Sequence, residues 1–182
     1  MRNLLWGLLL LSVGQGKESK PVPFNPVESE FPLVWKTKTG QACFRSNVQF
    51  SKNEMVIGSN GSYFMDYGVY DKLSGVYILD RKTGQIIKHF ANEKLGDMDV
   101  NGILIYNNHY YFGNDNEEFL CTDANGNILW RNLTSGDIEH EPVLLKNQGR
   151  DMIVYASESG EVCAVDPATG KLVWNRSEEH TS

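Results

Sequence analysis

Short apolar runs alternate with short polar segments along most of this chain, and the polar segments hold Asp, Asn and Gly. Three stretches repeat one order of apolar run, Asp, polar turn, Gly and second apolar run. They read YILDRKTGQII, LCTDANGNILW and CAVDPATGKLVW. Apolar runs this short, bounded by turn residues, predict β-strands joined by tight turns.

The three copies recur at a nearly constant interval. Their turn glycines, Gly84, Gly126 and Gly170, are spaced 42 and 44 residues apart. A period of this length is typical of β-propellers, in which each repeat is one four-stranded blade. The predicted fold class is therefore all-β, a partial β-propeller of about three four-stranded antiparallel blades. Because complete propellers have about four to eight blades, we expect this chain to be a fragment of a larger ring that continues past Asn175; copies that assemble into a ring are the alternative.

Each repeat predicts four strands, lettered A to D from the central channel outwards. The predicted strands are 48–50, 55–57, 76–79 and 86–90 in the first repeat, 103–106, 110–113, 119–122 and 128–131 in the second, and 143–145, 152–156, 162–165 and 172–174 in the third. The segment Leu33–Lys36 (LVWK) resembles a D strand and is a candidate for the strand that completes another blade.

The residues that define the repeat are predicted to be structural. Asp80, Asp123 and Asp166 are placed to accept hydrogen bonds from turn amides, and the glycines to adopt positive φ. Trp130 and Trp174 are expected to pack between blades. Cys43, Cys121 and Cys163 are interpreted as small buried residues without a disulfide, because Cys121 and Cys163 should point to opposite faces of their sheets.

The repeated motif resembles those of the pyrroloquinoline quinone (PQQ) dehydrogenase-like propeller family, over residues 33–175. The resemblance is carried by Asp80–Ile87, Asp123–Trp130 and Asp166–Trp174, with Lys88 in place of the first Trp. It implies the fold rather than an activity. Enzymes of that family hold the quinone with adjacent cysteines and a calcium ion, and this chain has no adjacent cysteines. No catalytic residue and no metal ligand is therefore carried over, and no cofactor is expected; PQQ with calcium is expected only if missing blades supply the site.

The ends of the chain differ from the repeats. Residues 1–16, with an early Arg and an apolar core, are predicted to be a signal peptide, which implies a secreted or periplasmic protein. Residues 17–32 contain four prolines and are predicted to be an extended lead-in. Residues 33–175 are the blades. The last residues, 176–182 (RSEEHTS), read as the translation of a sequencing adapter and are predicted to be a non-native tail.

Composition narrows the classes of partner. The net charge is −6 without a run of Lys or Arg, which disfavours nucleic acid because phosphates require cationic side chains. No apolar run after the first 16 residues is long enough to span a membrane as a helix.

A candidate binding face follows from the topology. In an up-and-down blade the B–C and D–A connections emerge on one side, so the aromatic insertion at 59–74, a B–C loop, should share a face with acidic D–A connections. B–C turn carboxylates, including Asp115, Glu117, Glu118 and Glu158, add to this face. The candidate ligand-binding residues are Tyr63, Phe64, Asp66, Tyr67, Tyr70, Asp97, Asp99, Asp137, Glu139 and His140.

We expect an exported, non-catalytic propeller domain that presents this acidic, aromatic face to a protein or a carbohydrate. Aromatic faces suit sugar rings and cations, whereas solvated loop carboxylates on an acidic protein are the plain structural interpretation. The alternative functions are a fragment of a PQQ-dependent dehydrogenase and a scaffold inside a larger assembly.

Overall fold

The structure is a computed structural model that describes residues 33–40, 46–61, 71–91, 99–147 and 149–177. The predicted signal peptide, the lead-in and Cys43 lie outside these ranges. In the described part, all regular structure is β-strand, and no helix there is long and apolar enough to cross a membrane.

Twelve strands form three four-stranded antiparallel sheets, each in sequential order. Blade 1 consists of β1 (Val48–Phe50), β2 (Glu54–Asn60), β3 (Ser74–Asp80) and β4 (Ile86–Phe90). Blade 2 consists of β5 (Val100–Tyr106), β6 (His109–Asn114), β7 (Glu118–Thr122) and β8 (Ile128–Leu133). Blade 3 consists of β9 (Val143–Asn147), β10 (Arg150–Ala156), β11 (Glu161–Val165) and β12 (Leu172–Ser177). All twelve predicted strands are confirmed.

The sheets are arranged like the blades of an open propeller. The A strands of neighbouring blades approach each other, β1 against β5 and β5 against β9, whereas no D strand contacts another D strand within the described residues. The blades therefore converge at their A strands and diverge towards their D strands. This radial geometry confirms the predicted partial propeller.

Two apolar layers hold the three blades together. Between blades 1 and 2, Val56 and Val76 pack with Phe112 and Leu120, all of them fully buried. Between blades 2 and 3, the rings of Phe119 and Tyr155 stack at 3.9 Å between centroids. Each such side chain contributes about 1.5–3 kcal/mol when it leaves water. Blade 2 is covered on both faces, and all five residues of β7 are buried.

The two described cysteines are free and buried, as predicted. Both lie in the layer between blades 2 and 3, Cys121 on the side of blade 2 and Cys163 on the side of blade 3, so they occupy opposite faces of equivalent sheets. Their cross-strand neighbours are Tyr111 and Tyr155. Burial raises the pKa of each thiol to about 11, which keeps both cysteines protonated and unreactive near neutral pH.

The repeated Asp organises each C–D turn. Asp166 Oδ1 accepts hydrogen bonds from the backbone N–H groups of Ala168 and Thr169, at 3.1 and 3.0 Å, and from the Thr169 hydroxyl at 2.8 Å. Asp80 makes the same three contacts with its own turn, and Asp123 binds two turn amides. The turn glycine follows with φ of +68° to +84° in the three repeats. The predicted turn chemistry is confirmed.

A ring from the preceding D strand covers Gly126 and Gly170, and Trp35 covers Gly84. At the junction of blades 2 and 3, a Cβ on Gly170 would lie 2.5 Å from Cδ2 of Trp130. The Trp130 indole N–H donates to the carbonyl of Pro167 at 3.0 Å, and the Asn132 amide donates to the carbonyl of Gly170 at 2.8 Å. Only glycine leaves room for the indole in this position.

Residues 33–40, here called the cap segment, repeat this junction on the outer face of blade 1. A Cβ on Gly84 would lie 2.5 Å from Cδ2 of Trp35. The Trp35 indole N–H donates to the Arg81 carbonyl at 3.3 Å, and the Thr37 hydroxyl donates to the Gly84 carbonyl. The acceptors are again the residue after the turn Asp and the turn glycine. The predicted resemblance of this segment to a D strand therefore extends to its contacts.

At the junction between blades 1 and 2, two residues share the roles that Trp130 performs alone: the hydrogen bond to the turn and the covering of the turn glycine. Lys88, which replaces the first Trp, donates to the carbonyl of Ala124, the residue after Asp123. The ring of Phe90 covers Gly126, with Cγ 2.6 Å from a Cβ placed there. An ammonium thus makes the hydrogen bond and a neighbouring ring fills the space.

Candidate functional site

The described D–A and B–C connections near blade 3 lie side by side. In the D–A segment before β9, the Asp137 carbonyl accepts a hydrogen bond from the N–H of Glu158, in the B–C turn of blade 3, at 2.9 Å. At the other end of that segment, the N–H of Thr134 donates to the carbonyl of Glu117, in the B–C turn of blade 2, at 2.8 Å. These bonds join the two kinds of connection into one surface.

Three carboxylates converge on this surface, and we call Glu117, Asp137 and Glu158 the acidic cluster. Glu117 has a left-handed φ of +55° and an exposed side chain, and Glu158 is also exposed. Asp137 is half-buried. Its burial, followed by the charges of Glu158 and Glu117, raises the pKa of the Asp137 carboxyl above its ordinary value. Negative charge is therefore concentrated where two blades meet.

Hydroxyl groups border the acidic cluster. The hydroxyls of Ser135 and Ser159 lie 2.6 Å apart, and those of Ser157 and Ser159 lie 2.7 Å apart. Ser135 also donates to the Glu161 carboxylate at 3.0 Å. This chain of hydroxyls links the D–A segment to the B–C turn of blade 3.

A polar row crosses from blade 1 to blade 2 on the same side. The Asn60 amide donates to Asn101 Oδ1, and the Asn101 amide donates to Asp115 Oδ1, both at 3.4 Å. Asn60 and Asn101 are each only 2% exposed, and Oδ1 of Asn60 has no hydrogen-bond partner among the described residues. An unsatisfied buried acceptor is costly to the fold.

Two predicted carboxylates have other surroundings. Glu118 is buried, accepts a hydrogen bond from Asn114, and forms an ion pair with Arg131 at 2.9 Å. Its charge is thus neutralised inside blade 2, and the expectation that Glu118 adds to the binding face is wrong. Asp99, just before β5, is 5% exposed, so little of its side chain can reach a surface ligand.

The remaining candidates divide into two groups. Glu139 is half-buried and His140 is exposed, both in the same D–A segment as Asp137. Six of the candidates fall outside the described residues: Tyr63, Phe64, Asp66, Tyr67, Tyr70 and Asp97. Pairing of Asn60 with Ser74 shows that the insertion connects β2 to β3, which confirms its place as a B–C loop. Ser59 and Ser74 themselves belong to the strands.

The amides and serines of this face were missed from the sequence. Their signal is positional, because a polar residue ends or directly follows the B strand of every repeat: Asn60 in SNG, Asn114 in GND and Ser157 in SES. Polar residues at strand ends are common in turns, so this pattern alone does not distinguish a site from a connection.

The described residues do not supply a quinone or metal site. Within those ranges, no three His, Cys, Asp or Glu side chains are placed to hold a metal ion. The two described cysteines lie in strands of different blades, and the side chains at the blade interface are mainly apolar. These residues therefore do not fit the calcium and adjacent-cysteine arrangement that the PQQ-dependent enzymes imply.

The radial sheets and the repeated turns define a propeller built from PQQ-like repeats. Residues 74–182 match the family described as outer membrane protein assembly factor BamB, and the chain belongs to this family. No curated protein matches the sequence.

A solved structure of BamB agrees with the fold. BamB from Moraxella catarrhalis matches with a TM-score of 0.52 and 13% identity, over 73% of this chain and 35% of that one. The computationally designed protein Ika8 matches with a TM-score of 0.48 and 18% identity, over 71% of this chain and 35% of its own. This chain thus corresponds to about a third of the length of either structure.

Proposed function

We propose that this chain is an exported, non-catalytic propeller domain that binds a protein through the face that bears the acidic cluster. The carrying observation is the convergence of Glu117, Asp137 and Glu158 from two blades. The proposed partner presents Lys or Arg side chains to this cluster.

The charges support a basic partner. The pKa of Asp137 is raised because its ionised form is buried near two other carboxylates. A cationic side chain brought by a partner would reduce the repulsion among these carboxylates. Relief of the repulsion that is present in the unbound protein therefore favours binding. Complementary charge of this kind sets specificity and the rate of association more than total affinity.

The family name favours a protein over a carbohydrate. The matching family is described as an assembly factor for outer membrane proteins, which is a role exercised on other proteins. Export rests on the predicted signal peptide at 1–16.

The test measures binding of a fluorescent oligolysine peptide at low salt. The variant replaces the acidic cluster by Glu117→Gln, Asp137→Asn and Glu158→Gln. If each exposed charge pair contributes about 0.5 kcal/mol, the affinity should fall roughly tenfold. The matched control is Glu54→Gln at the opposite end of blade 1, which should bind as the wild type does.

Two results would contradict the proposal. Equal affinity of the triple variant and the wild type would show that the cluster is a set of solvated loop carboxylates. Binding on a glycan array that is unaffected by excess oligolysine would assign the face to carbohydrate instead.

A further inference from the structure

Three Asn-Gly pairs occur in the sequence, at 60–61, 101–102 and 125–126. In such a pair the backbone nitrogen of the glycine can attack the side-chain amide carbon of the asparagine, because glycine has no Cβ to hinder the approach. The attack requires a backbone that can rotate, and water completes the reaction. The three pairs differ in both respects.

The first two pairs are protected by the fold. Asn60 ends β2 opposite Ser74, and Asn101 lies within β5, so both backbones are held in a sheet. Each asparagine is 2% exposed, and the glycine that follows it is buried. Their side-chain amides donate hydrogen bonds, that of Asn60 to Asn101 and that of Asn101 to Asp115. Both pairs therefore lack the freedom and the access to water that the reaction requires.

The third pair lies in the C–D turn of blade 2, where Asn125 is exposed. The attacking nitrogen is that of Gly126, whose N–H donates to the Asp123 carbonyl at 3.1 Å. An exposed turn opens locally at a much lower free-energy cost than a buried strand. The nitrogen of Gly126 is therefore released for attack more often than those of the two buried glycines.

A cation lies on the carbonyl group that the nitrogen would attack. Lys88 Nζ, from β4 of blade 1, donates to Asn125 Oδ1 at 3.0 Å and also to the Ala124 carbonyl. Attack on the side-chain carbon moves negative charge onto Oδ1, and a donor that already points at developing charge lowers the barrier. The corresponding oxygen of Asn101 accepts from a neutral amide instead.

We propose that Asn125 is a site of spontaneous deamidation and that Lys88 of the neighbouring blade accelerates it. The Gly126 nitrogen bonds to Asn125 Cγ, and its proton passes through water to the side-chain nitrogen, which leaves as ammonia when its bond to Cγ breaks. A five-membered succinimide remains. Addition of one water molecule opens this ring and yields aspartate or isoaspartate at position 125. The aspartate product places a carboxylate beside the Lys88 ammonium, so a hydrogen bond between blades 1 and 2 becomes an ion pair.

The experiment incubates the full chain at mildly alkaline pH and follows each Asn-Gly pair by peptide mapping with mass spectrometry. Asn125 should convert, and Asn60 and Asn101 should stay intact while the chain is folded. In urea, where burial is lost, all three pairs should convert at similar rates. This comparison within the wild type needs no variant, so it tests the site even where a substitution unfolds the chain.

Two variants test the role of the ammonium. Lys88→Met should slow the conversion of Asn125 about tenfold, because one charge-assisted hydrogen bond to the attacked carbonyl is lost. Lys88→Arg is the matched control, since it keeps a cationic donor, and its rate should stay close to that of the wild type.

Three results would overturn the proposal. Conversion of Asn60 or Asn101 in the folded chain as fast as that of Asn125 would show that the fold does not select the site. Equal or faster conversion in Lys88→Met would show that the ammonium does not activate the carbonyl. A cross-linked peptide containing Lys88 and Asn125 would show that the lysine nitrogen attacks in place of the glycine nitrogen.

Discussion

At the scale of single residues, carboxylates in this chain have opposite electrostatic settings. Hydrogen bonds from Thr169, first through its hydroxyl and then through its backbone, lower the pKa of Asp166 below its ordinary value. The corresponding turn contacts also lower the pKa values of Asp80 and Asp123. The pKa of Asp137, in contrast, is raised, mainly by its burial. The repeated aspartates therefore stabilise the fold as anions, and Asp137 does not.

The turn aspartates predict a loss of stability in acid. Asp166→Ala removes three hydrogen bonds and should lower the melting temperature at pH 7, and Asp166→Asn should lower it less because an amide oxygen still accepts. Since the folded pKa is depressed, the contribution of the charge is present above about pH 4 and is lost as pH falls through the folded pKa. Melting curves from pH 7 to acid should therefore show the wild type approaching Asp166→Asn. A difference in melting temperature between the wild type and Asp166→Asn that stays constant with pH would contradict this explanation.

Asp137 predicts the reverse dependence. Because its folded pKa is raised, the wild type loses stability as pH rises above about 4 and through the folded pKa. Asp137→Asn should therefore melt at a higher temperature than the wild type at pH 7 and at the same temperature below that window. The gain should accompany weaker binding of oligolysine, as is common when a binding site carries strain. Equal melting temperatures of Asp137→Asn and the wild type at pH 7 would show that the ionised Asp137 does not destabilise the fold.

At the scale of elements, the junctions explain why the turn glycines recur. Gly170 combines a positive φ with a covering indole, whereas Gly160, at φ +83°, has no described atom beyond its chain neighbours within 4 Å of a Cβ placed on it. A substitution at Gly160 therefore measures only the free-energy cost of the left-handed backbone, whereas one at Gly170 also includes the cost of overpacking against Trp130.

Alanine at these two positions should destabilise the fold by different amounts. Gly160→Ala should cost about 1 kcal/mol for the left-handed backbone. Gly170→Ala carries the same cost, and the overpacking against Trp130 should add about 1–3 kcal/mol. Urea unfolding at pH 7 measures both. Equal losses would show that the indole moves aside freely.

The strands and their connectivity were predictable because each repeat states them again with the same spacing. The shared face followed from connectivity alone, since up-and-down order decides which loops meet. The burial of Asp99 and Glu118 was not predictable, because it depends on how neighbouring loops and Arg131 pack. The sequence also did not show that Lys88 and Phe90 share the two roles that Trp130 performs alone, the hydrogen bond to the turn and the covering of the glycine. Recognising this requires both surfaces of the junction to be known.

At the scale of the whole molecule, burial is greatest in the middle blade. Tyr111, Phe112, Phe119 and Leu120 are at most 1% exposed, since blade 2 has a neighbour on each side. The strands β1 and β9 are mostly exposed. In repeat architectures, stability is distributed through such nearest-neighbour interfaces.

Hydrogen exchange should report this gradient. Backbone amides of β6 and β7 should exchange slowest, and those of β1 and β9 fastest, because opening of an outer blade breaks one interface and opening of blade 2 breaks two. Peptide-resolved mass spectrometry at neutral pH provides the measurement. Uniform protection across the twelve strands would instead indicate a single cooperative unit.

The exchange of Trp for Lys88 affects how such a gene can grow by tandem duplication. A second blade 2 inserted after the first would bring Trp130 to the Ala124 carbonyl, a contact between neutral groups. A second blade 1 inserted after the first would bring the Lys88 ammonium to the Arg81 carbonyl, beside the cationic side chains of Arg81 and Lys82. Duplication of blade 2 is therefore more compatible with this fold than duplication of blade 1.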